Sequence, residues 1–224
     1  MDGSGEAGKE EVMILSADAE TLWGAATGLA RAAAGVSRDP GRPALLFFTD
    51  PVRTPQPWLT AAGLPPGAGV VYRAFGAADA RTVAERLRRV TAERGVRLLI
   101  GLDADLAEAV GADGVHLPER ALERAAALRR RHPHWQVTGA VHSAAALAGA
   151  GVLSAAVLSP VFAAGGASGS RPALGLVAFT AAVRAALVPV YALGGIGAAN
   201  ADTLKGSGAC GLAGVAAIQS AFNG

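Results

Sequence analysis

The stretch Val96–Leu117, VRLLIGLDADLAEAVGADGVHL, decides the fold. Val96–Gly101 is an apolar run closed by a glycine, Asp105–Val110 reads as a short helix, and Gly111 stands where that helix would end. Asp113–Leu117 then begins a second apolar run. Short Val- and Leu-rich runs without polar alternation fit strands buried on both faces, as in a parallel sheet. The stretch is therefore one complete βαβ unit.

The same alternation continues outward in both directions. Upstream lie Ala44–Thr49 (ALLFFT) and Gly69–Ala74 (GVVYRA); downstream lie Gln136–Val141 (QVTGAV), Ala155–Ser159 (AAVLS), Val188–Leu193 (VPVYAL) and Cys210–Val215 (CGLAGV). The eight runs recur about every 24 residues, the spacing of βα units. Between them, Ala78–Arg94 places Val83, Leu87 and Val90 on one helical face with Arg and Glu opposite. Arg120–Arg131 repeats that design, and Ser143–Ala150, Leu176–Leu187 and Asn200–Gly206 are shorter candidates. Eight strands alternating with helices predict an α/β fold, a single (β/α)8 TIM barrel over 43–224. The rival, a doubly wound open sheet, would carry a glycine-rich dinucleotide fingerprint after its first strand. That position reads Thr49-Asp50-Pro51 instead. Residues 1–42 form an N-terminal tail and a helix near Ala17–Ala34, read either as a cap on the barrel or as a surface for self-association into a homo-oligomer.

Composition narrows the function classes. Of 224 residues, 51% are hydrophobic and 17% charged, too apolar for a disordered chain. The formal net charge is +2, with arginines dispersed among acidic residues, which gives no nucleic-acid footprint. A single cysteine, Cys210, excludes an internal disulfide framework and a multi-cysteine metal site. The opening MDGSGEAGKEE is too polar for a secretory signal, and no apolar run reaches the roughly 18 residues of a membrane span. The expectation is a soluble, cytoplasmic protein.

In a barrel of this kind chemistry gathers where strands end and loops begin. Those positions hold Asp50, Arg73, Asp103, His116, His142, Ser159, Gly194, Gly195 and the segment Gly214–Ile218. The glycine segments after strands seven and eight match the usual phosphate site of such barrels, where backbone N–H groups hold the anion. Gly194, Gly195, Gly214, Val215 and Ala216 are therefore the predicted phosphate contacts; the alternative is that the glycines only make tight turns. His142 ends strand five, where an imidazole can exchange protons with a ligand, or can simply pack. Arg73 interrupts an apolar strand and must either find a partner or face the barrel mouth. His116 is a second histidine at the rim. The small, flexible stretch Ala163–Pro172 suits a lid, with Ser168, Ser170 and Arg171 as anion contacts. His132 and His134, flanking Pro133, are expected to be solvated.

On LLFFTD (Leu45–Asp50), AVGADGVHLP (Ala109–Pro118), GAVHS (Gly139–Ser143), LSPVF (Leu158–Phe162), PVYALGGI (Pro189–Ile196) and SGACGLAGVAAI (Ser207–Ile218), the chain resembles the thiamin phosphate synthase/TenI superfamily. The resemblance covers residues 44–222 and implies a small barrel acting on a thiazole phosphate. The superfamily's synthases join a pyrimidine diphosphate to a thiazole phosphate with Mg²⁺, using a Gln-x-Arg-x-Lys segment on strand two, an Asn-Asp pair after strand three, a later Asp and a Ser on strand five. Here only Arg73 of the first segment survives, the pair reads Gly101-Leu102, the later Asp is Ala121 and the Ser is Ala140. The TenI branch lacks the metal set and includes a thiazole tautomerase whose strand-five histidine falls on His142. The resemblance thus implies a metal-independent tautomerase without cofactor, His142 being its general acid/base. The alternatives are a divergent synthase, which would bring Mg²⁺, and a non-catalytic binder of thiamin or thiazole phosphate.

Overall fold

A computed structural model describes residues 14–34, 41–164 and 171–223. Eight strands, all parallel, close into a barrel in the order β1 to β8: β1 (Leu45–Phe48), β2 (Gly69–Tyr72), β3 (Arg97–Gly101), β4 (Gly114–Leu117), β5 (Gln136–Val141), β6 (Ala155–Leu158), β7 (Val190–Leu193) and β8 (Gly211–Gly214). β1 closes the ring by pairing with β8, Leu46 opposite Ala213. Around them run α1 (Ala17–Ala32), α2 (Pro57–Gly63), α3 (Ala80–Glu93), α4 (Ala104–Ala109), α5 (Ala125–Arg131), α6 (Ala144–Ala148), α7 (Gly175–Ala185) and α8 (Ala216–Phe222). The α/β TIM-barrel expectation holds.

The two-residue period of a strand divides its side chains between two cores. Leu46, Phe48, Val71, Leu99, Val157, Tyr191, Cys210 and Ala213 fill the barrel interior. Their neighbours Leu45, Phe47, Val70, Leu98, Ile100, Val115, Leu117 and Leu158 pack outward under the helices. A strand with both faces buried cannot alternate in polarity, which is why its runs are uniformly apolar.

Helix ends are set locally. Asp103 accepts a hydrogen bond from the Leu106 N–H at the start of α4, and Ser143 from the Ala146 N–H at the start of α6. Ser16 caps α1 in the same way and donates its hydroxyl to the Ala221 carbonyl, tying α1 to α8. Through Ala19, Leu22, Ala25, Ala26 and Leu29, α1 joins the outer core, packing against β8 and α8. At the strand N-termini, Asp113 accepts from Arg88 at 2.7 Å and from the Leu98 N–H at 2.8 Å, pinning α3 to β3 and β4.

Several local readings are corrected. In α3 the expected face of Val83, Leu87 and Val90 does pack on the core, but Ala84 and Thr91 join Leu87 as its fully buried residues. The segment expected as one helix at Arg120–Arg131 begins as a 3₁₀ turn over Glu119–Arg124, and Ala201–Leu204 is likewise 3₁₀. His132 is not solvated: its side chain stacks on Trp135 with ring centroids 3.6 Å apart and is 13% exposed.

Candidate functional site

The mouth of the barrel, at the C-terminal ends of the strands, collects the polar side chains. On the β1–β2 side stands Arg73. Its backbone N–H donates to the Thr49 hydroxyl at 2.9 Å, and its Nε donates to the Thr49 carbonyl at 2.7 Å. The guanidinium lies over the Phe48 ring at 5.5 Å and over the Phe75 ring at 5.2 Å, within cation–π range of both. Its Nη2 is buried and has no hydrogen-bond partner among the described residues. Burial lowers the pKa of this guanidinium, although an arginine remains charged at any working pH.

Next to it, Asp50 builds the turn after β1. One carboxylate oxygen accepts the N–H groups of Val52 and Arg53, and the other pairs with the Arg53 guanidinium at 3.0 Å. Arg53 holds the Asp50 carboxyl down at about 2. Thr54 completes the turn, accepting the Asp50 N–H and donating to the Asp50 carbonyl.

His116 lies below the rim, inside the barrel, and is 6% exposed. Val115 and Leu117 on either side belong to the outer core, so strand parity turns His116 inward. Its ring meets Phe48 edge to face at 4.9 Å, and its Nδ1 lies 3.0 Å from the Thr138 hydroxyl. Desolvation, with Arg73 adding to it, pushes the imidazole down to about 3, so it is neutral at any working pH.

His142 stands at the end of β5, half-buried. Its Nδ1 is 3.0 Å from the Ser159 carbonyl and 3.2 Å from the Ser159 hydroxyl, just past the end of β6. A carbonyl can only accept, so Nδ1 is the donor in this contact and Nε2 takes no part in it. The His142 backbone N–H donates to the Glu119 carboxylate at 2.7 Å.

On the β7–β8 side the site is built from backbone. Gly194 and Gly195 have φ of 102° and 66°, a conformation that disfavours any side chain. A Cβ on Gly194 would stand 2.7 Å from the Pro160 Cα, and one on Gly195 would stand 2.4 Å from the Ala163 carbonyl oxygen. The β6–α7 loop therefore presses directly on this turn. Asn200 fixes it from the other side, donating to the Gly195 carbonyl and accepting from the Gly197 N–H. Gly214 ends β8, with Val215 preceding α8, and no side chain caps the first turn of that helix.

The structure thus brings Arg73, His142, Gly194, Gly195, Gly214, Val215 and Ala216 to one rim, and sets His116 beneath it. Arg171 is exposed beyond the β6 loop, while Ser168 and Ser170 lie outside the described residues. Thr49, Phe48, Phe75, Thr138, Glu119 and Asn200 enter only through the structure. Among them, only Asn200 had a sequence signal, a side-chain amide shortly after a glycine turn.

Mg²⁺ takes oxygen ligands, usually one or two carboxylates plus substrate phosphates. Leu102 and Ala121 offer no side-chain oxygen, Asp50 is committed to Arg53, and Asp103 caps α4. Among the described residues no three His, Cys, Asp or Glu side chains converge. The two positions to which the resemblance assigns Mg²⁺ ligands therefore offer no carboxylate, and these residues do not reproduce that metal set. Nor is any helix among the described residues long and apolar enough to cross a membrane.

Known proteins agree on the lineage. The profile of the family described as thiamine monophosphate synthase matches residues 59–218. A protein named thiamine-phosphate synthase from Methanoculleus marisnigri is 34% identical over 71% of this chain and 77% of its own length. Another of that name, from Laribacter hongkongensis, is 32% identical over 73% of this chain and 79% of its own. In structure the chain is similar to a thiamine phosphate pyrophosphorylase from Pyrococcus furiosus, with a TM-score of 0.67 over 80% of this chain and 91% of that one, at 22% identity. That last likeness bears on the fold alone. With one profile spanning most of the barrel and relatives above 30% identity along it, the chain belongs to the thiamine monophosphate synthase family.

Proposed function

We propose that the chain is a transferase of thiamin biosynthesis that joins a pyrimidine diphosphate to a thiazole phosphate. The observation that supports this reading is that one rim carries two separate groups of unsatisfied or backbone donors, the Arg73 Nη2 edge and the glycine turns, each of which could serve an anion. Arg73 ends β2 and the glycine turns end β7 and β8, with β1 between β2 and β8. At about 4.8 Å per strand, Arg73 and Gly214 are about 10 Å apart along the wall. A reaction with one anionic substrate needs one station; a condensation of two phosphorylated substrates needs two. The names of the relatives support the same choice over the tautomerase expected from His142 alone.

In this reading the glycine turns and the first turn of α8 hold the thiazole phosphate with N–H groups. Arg73 holds the diphosphate at its unpartnered Nη2 edge, where charge grows as the leaving group departs. The thiazole nitrogen forms a bond to the pyrimidine's methylene carbon, the carbon–oxygen bond to diphosphate breaks, and that oxygen keeps the electron pair. The test is thiamin phosphate formation with one diphosphate released per turnover, assayed with and without added Mg²⁺. Absence of both products under both conditions overturns the reading.

A second reading rests on His142. With Nδ1 tied to Ser159, a single basic Nε2 suits proton transfer on one thiazole phosphate, the metal-independent tautomerase. Its signature is ring isomerisation that ignores a chelator and falls about 10²–10⁴-fold in His142→Ala. Saturable thiazole phosphate binding with neither reaction would identify a non-catalytic binder.

A further inference from the structure

Beneath the mouth, a polar pair interrupts an apolar filling. Leu46, Phe48, Val71, Leu99 and Val157 belong to the interior of the barrel. Among them stand His116, 6% exposed, and Thr138, 3% exposed, with the His116 Nδ1 3.0 Å from the Thr138 hydroxyl. An apolar side chain would fill this space without desolvating any polar atom. What the buried hydrogen bond adds is orientation, because it holds the imidazole in one plane where an apolar group can settle in several.

That plane meets Phe48. The two rings are perpendicular, at 89°, with centroids 4.9 Å apart. β1 and β4 are not neighbours in the barrel, so the contact crosses the interior instead of running along the wall. Phe48 in turn lies against the Arg73 guanidinium, 5.5 Å from its ring centroid, and is 2% exposed. The other ring on that cation, Phe75, is 69% exposed, so the buried support of the guanidinium plane is Phe48. Burial, with Arg73 adding to it, keeps the imidazole neutral, and it shares Phe48 with a cation without coulombic repulsion.

We propose that His116 is a positioning residue for Arg73: held in plane by Thr138, it sets the Phe48 ring from across the barrel interior, and that ring sets the guanidinium. The inference rests on the reading of Arg73 as the diphosphate contact and adds the residue that aims it. Its effect falls on one side of the mouth. The glycine turns of the other side are braced separately, by Asn200 and the β6–α7 loop.

Calorimetric titration of the whole chain, with inorganic diphosphate and separately with thiazole phosphate, tests this. Loss of an edge-to-face ring pair corresponds to about two- to tenfold in affinity. His116→Leu, which fills the space but lacks both the ring edge and the hydrogen bond, should weaken diphosphate binding by that factor and leave thiazole phosphate binding unchanged. His116→Phe restores an aromatic edge and should recover part of the loss. Because the two residues act in series, Phe48→Leu combined with His116→Leu should bind diphosphate as Phe48→Leu does alone. Unchanged diphosphate affinity in His116→Leu overturns the proposal. Equal weakening of both ligands overturns it too, since the mouth would then have loosened as a whole, and so do additive losses in the double variant. Should His116→Leu fail to fold, Thr138→Val, which removes only the bond that fixes the ring plane, decides by the same two titrations. Arg73→Ala separates this inference from the reading beneath it. A loss of about tenfold or more there, with His116→Leu unaffected, leaves Arg73 as the diphosphate contact and removes His116 alone. Unchanged affinity in Arg73→Ala removes both.

Discussion

The two sides of the barrel mouth, each read above as an anion site, are built of opposite materials. On the β1–β2 side a formal charge is held by side chains: Thr49 fixes Arg73, and Phe48 and Phe75 flank it. On the β7–β8 side Gly194 and Gly195 turn the backbone, and Asn200 and the β6–α7 loop brace it, with no charged side chain bonded to the turn among the described residues. A station made of side chains can lose a member and keep its fold. One made of backbone cannot, because its geometry is the chain's own path.

The largest expected effect follows from that difference. Gly195→Ala must accept φ of 66° and a Cβ 2.4 Å from a carbonyl oxygen. The conformation costs about 1–2 kcal/mol and the overlap about 1–3 more, so unfolding by denaturant should show a loss of about 2–5 kcal/mol. Gly76, in the loop after β2, supplies the control. Its φ is 82°, yet a Cβ there meets nothing within 4 Å. Gly76→Ala should lose only the conformational part, about 1 kcal/mol. Equal losses at the two glycines would break the comparison, because the backbone station would then be no tighter than an open loop.

Arg73 comes next, and its effect falls on the ligand instead of the fold. A buried, incompletely paired cation adds little to stability, so Arg73→Ala should unfold close to the wild type. Its kcat/KM for thiamin phosphate formation should fall about 10²-fold, the usual effect of removing one donor to developing charge. Arg73→Lys should recover little, since an ammonium lacks the planar fork that the two rings hold. A Lys variant near full activity would show that charge alone matters and that the ring sandwich is incidental.

The same contrast explains what the sequence revealed. The glycine turns were legible because a positive φ under steric pressure leaves a mark on residue type. The eight strands were legible because strands buried on both faces are uniformly apolar. α2 and α8 escaped notice: PWLTAAG and AAIQSAF are too short to display a helical period, and proline opens the first. Half of the enclosure of Arg73 is local, since Phe75 lies two residues further on; the other half, Phe48, comes from β1 and meets Arg73 only once β1 and β2 pair. His116 looked like a rim residue since it ends an apolar run, but parity points it inward toward Phe48 and Thr138. Whether His142 or Arg73 dominates the chemistry could not be read from spacing, which gives position but neither tautomer nor burial.

His116 yields a smaller effect with a definite sign. Its imidazole is held near 3 in the folded chain, below the ordinary value of 6.5. As pH falls through 6.5 the unfolded chain binds the proton first, so stability is full above that value and is lost progressively toward pH 3. Between pH 6.5 and 5 the wild type should lose about 1–2 kcal/mol more than His116→Asn, measured by denaturant unfolding at each pH. Parallel stability curves would mean that the histidine can be protonated in place, and that the interior behind Phe48 is wetter than its exposure indicates.

Asp50 sets the lower bound, and it tests whether the side-chain station has a rigid floor. Its carboxyl lies at about 2 in the folded chain against an ordinary 3.8, with Arg53 the main cause. A lowered carboxylate contributes stability that is complete above the unfolded value and disappears as pH falls through the folded one. The relevant window is therefore about pH 4 to 2, well below that of His116. The pair is partly exposed, 35% at Arg53 and 20% at Asp50, and solvent screening reduces its worth to about 1 kcal/mol. Asp50→Asn keeps an acceptor for the Val52 and Arg53 N–H groups while removing the charge. It should lose about that much at pH 7 and nothing further between pH 4 and 2, where the wild type falls to meet it. Thr49 precedes Asp50 and holds Arg73 by its carbonyl, so loosening this turn should also raise the KM for the diphosphate substrate while leaving kcat nearly unchanged. A stability loss without any change in KM would uncouple the turn from the cation, and Thr49 would then owe its position to β1 alone.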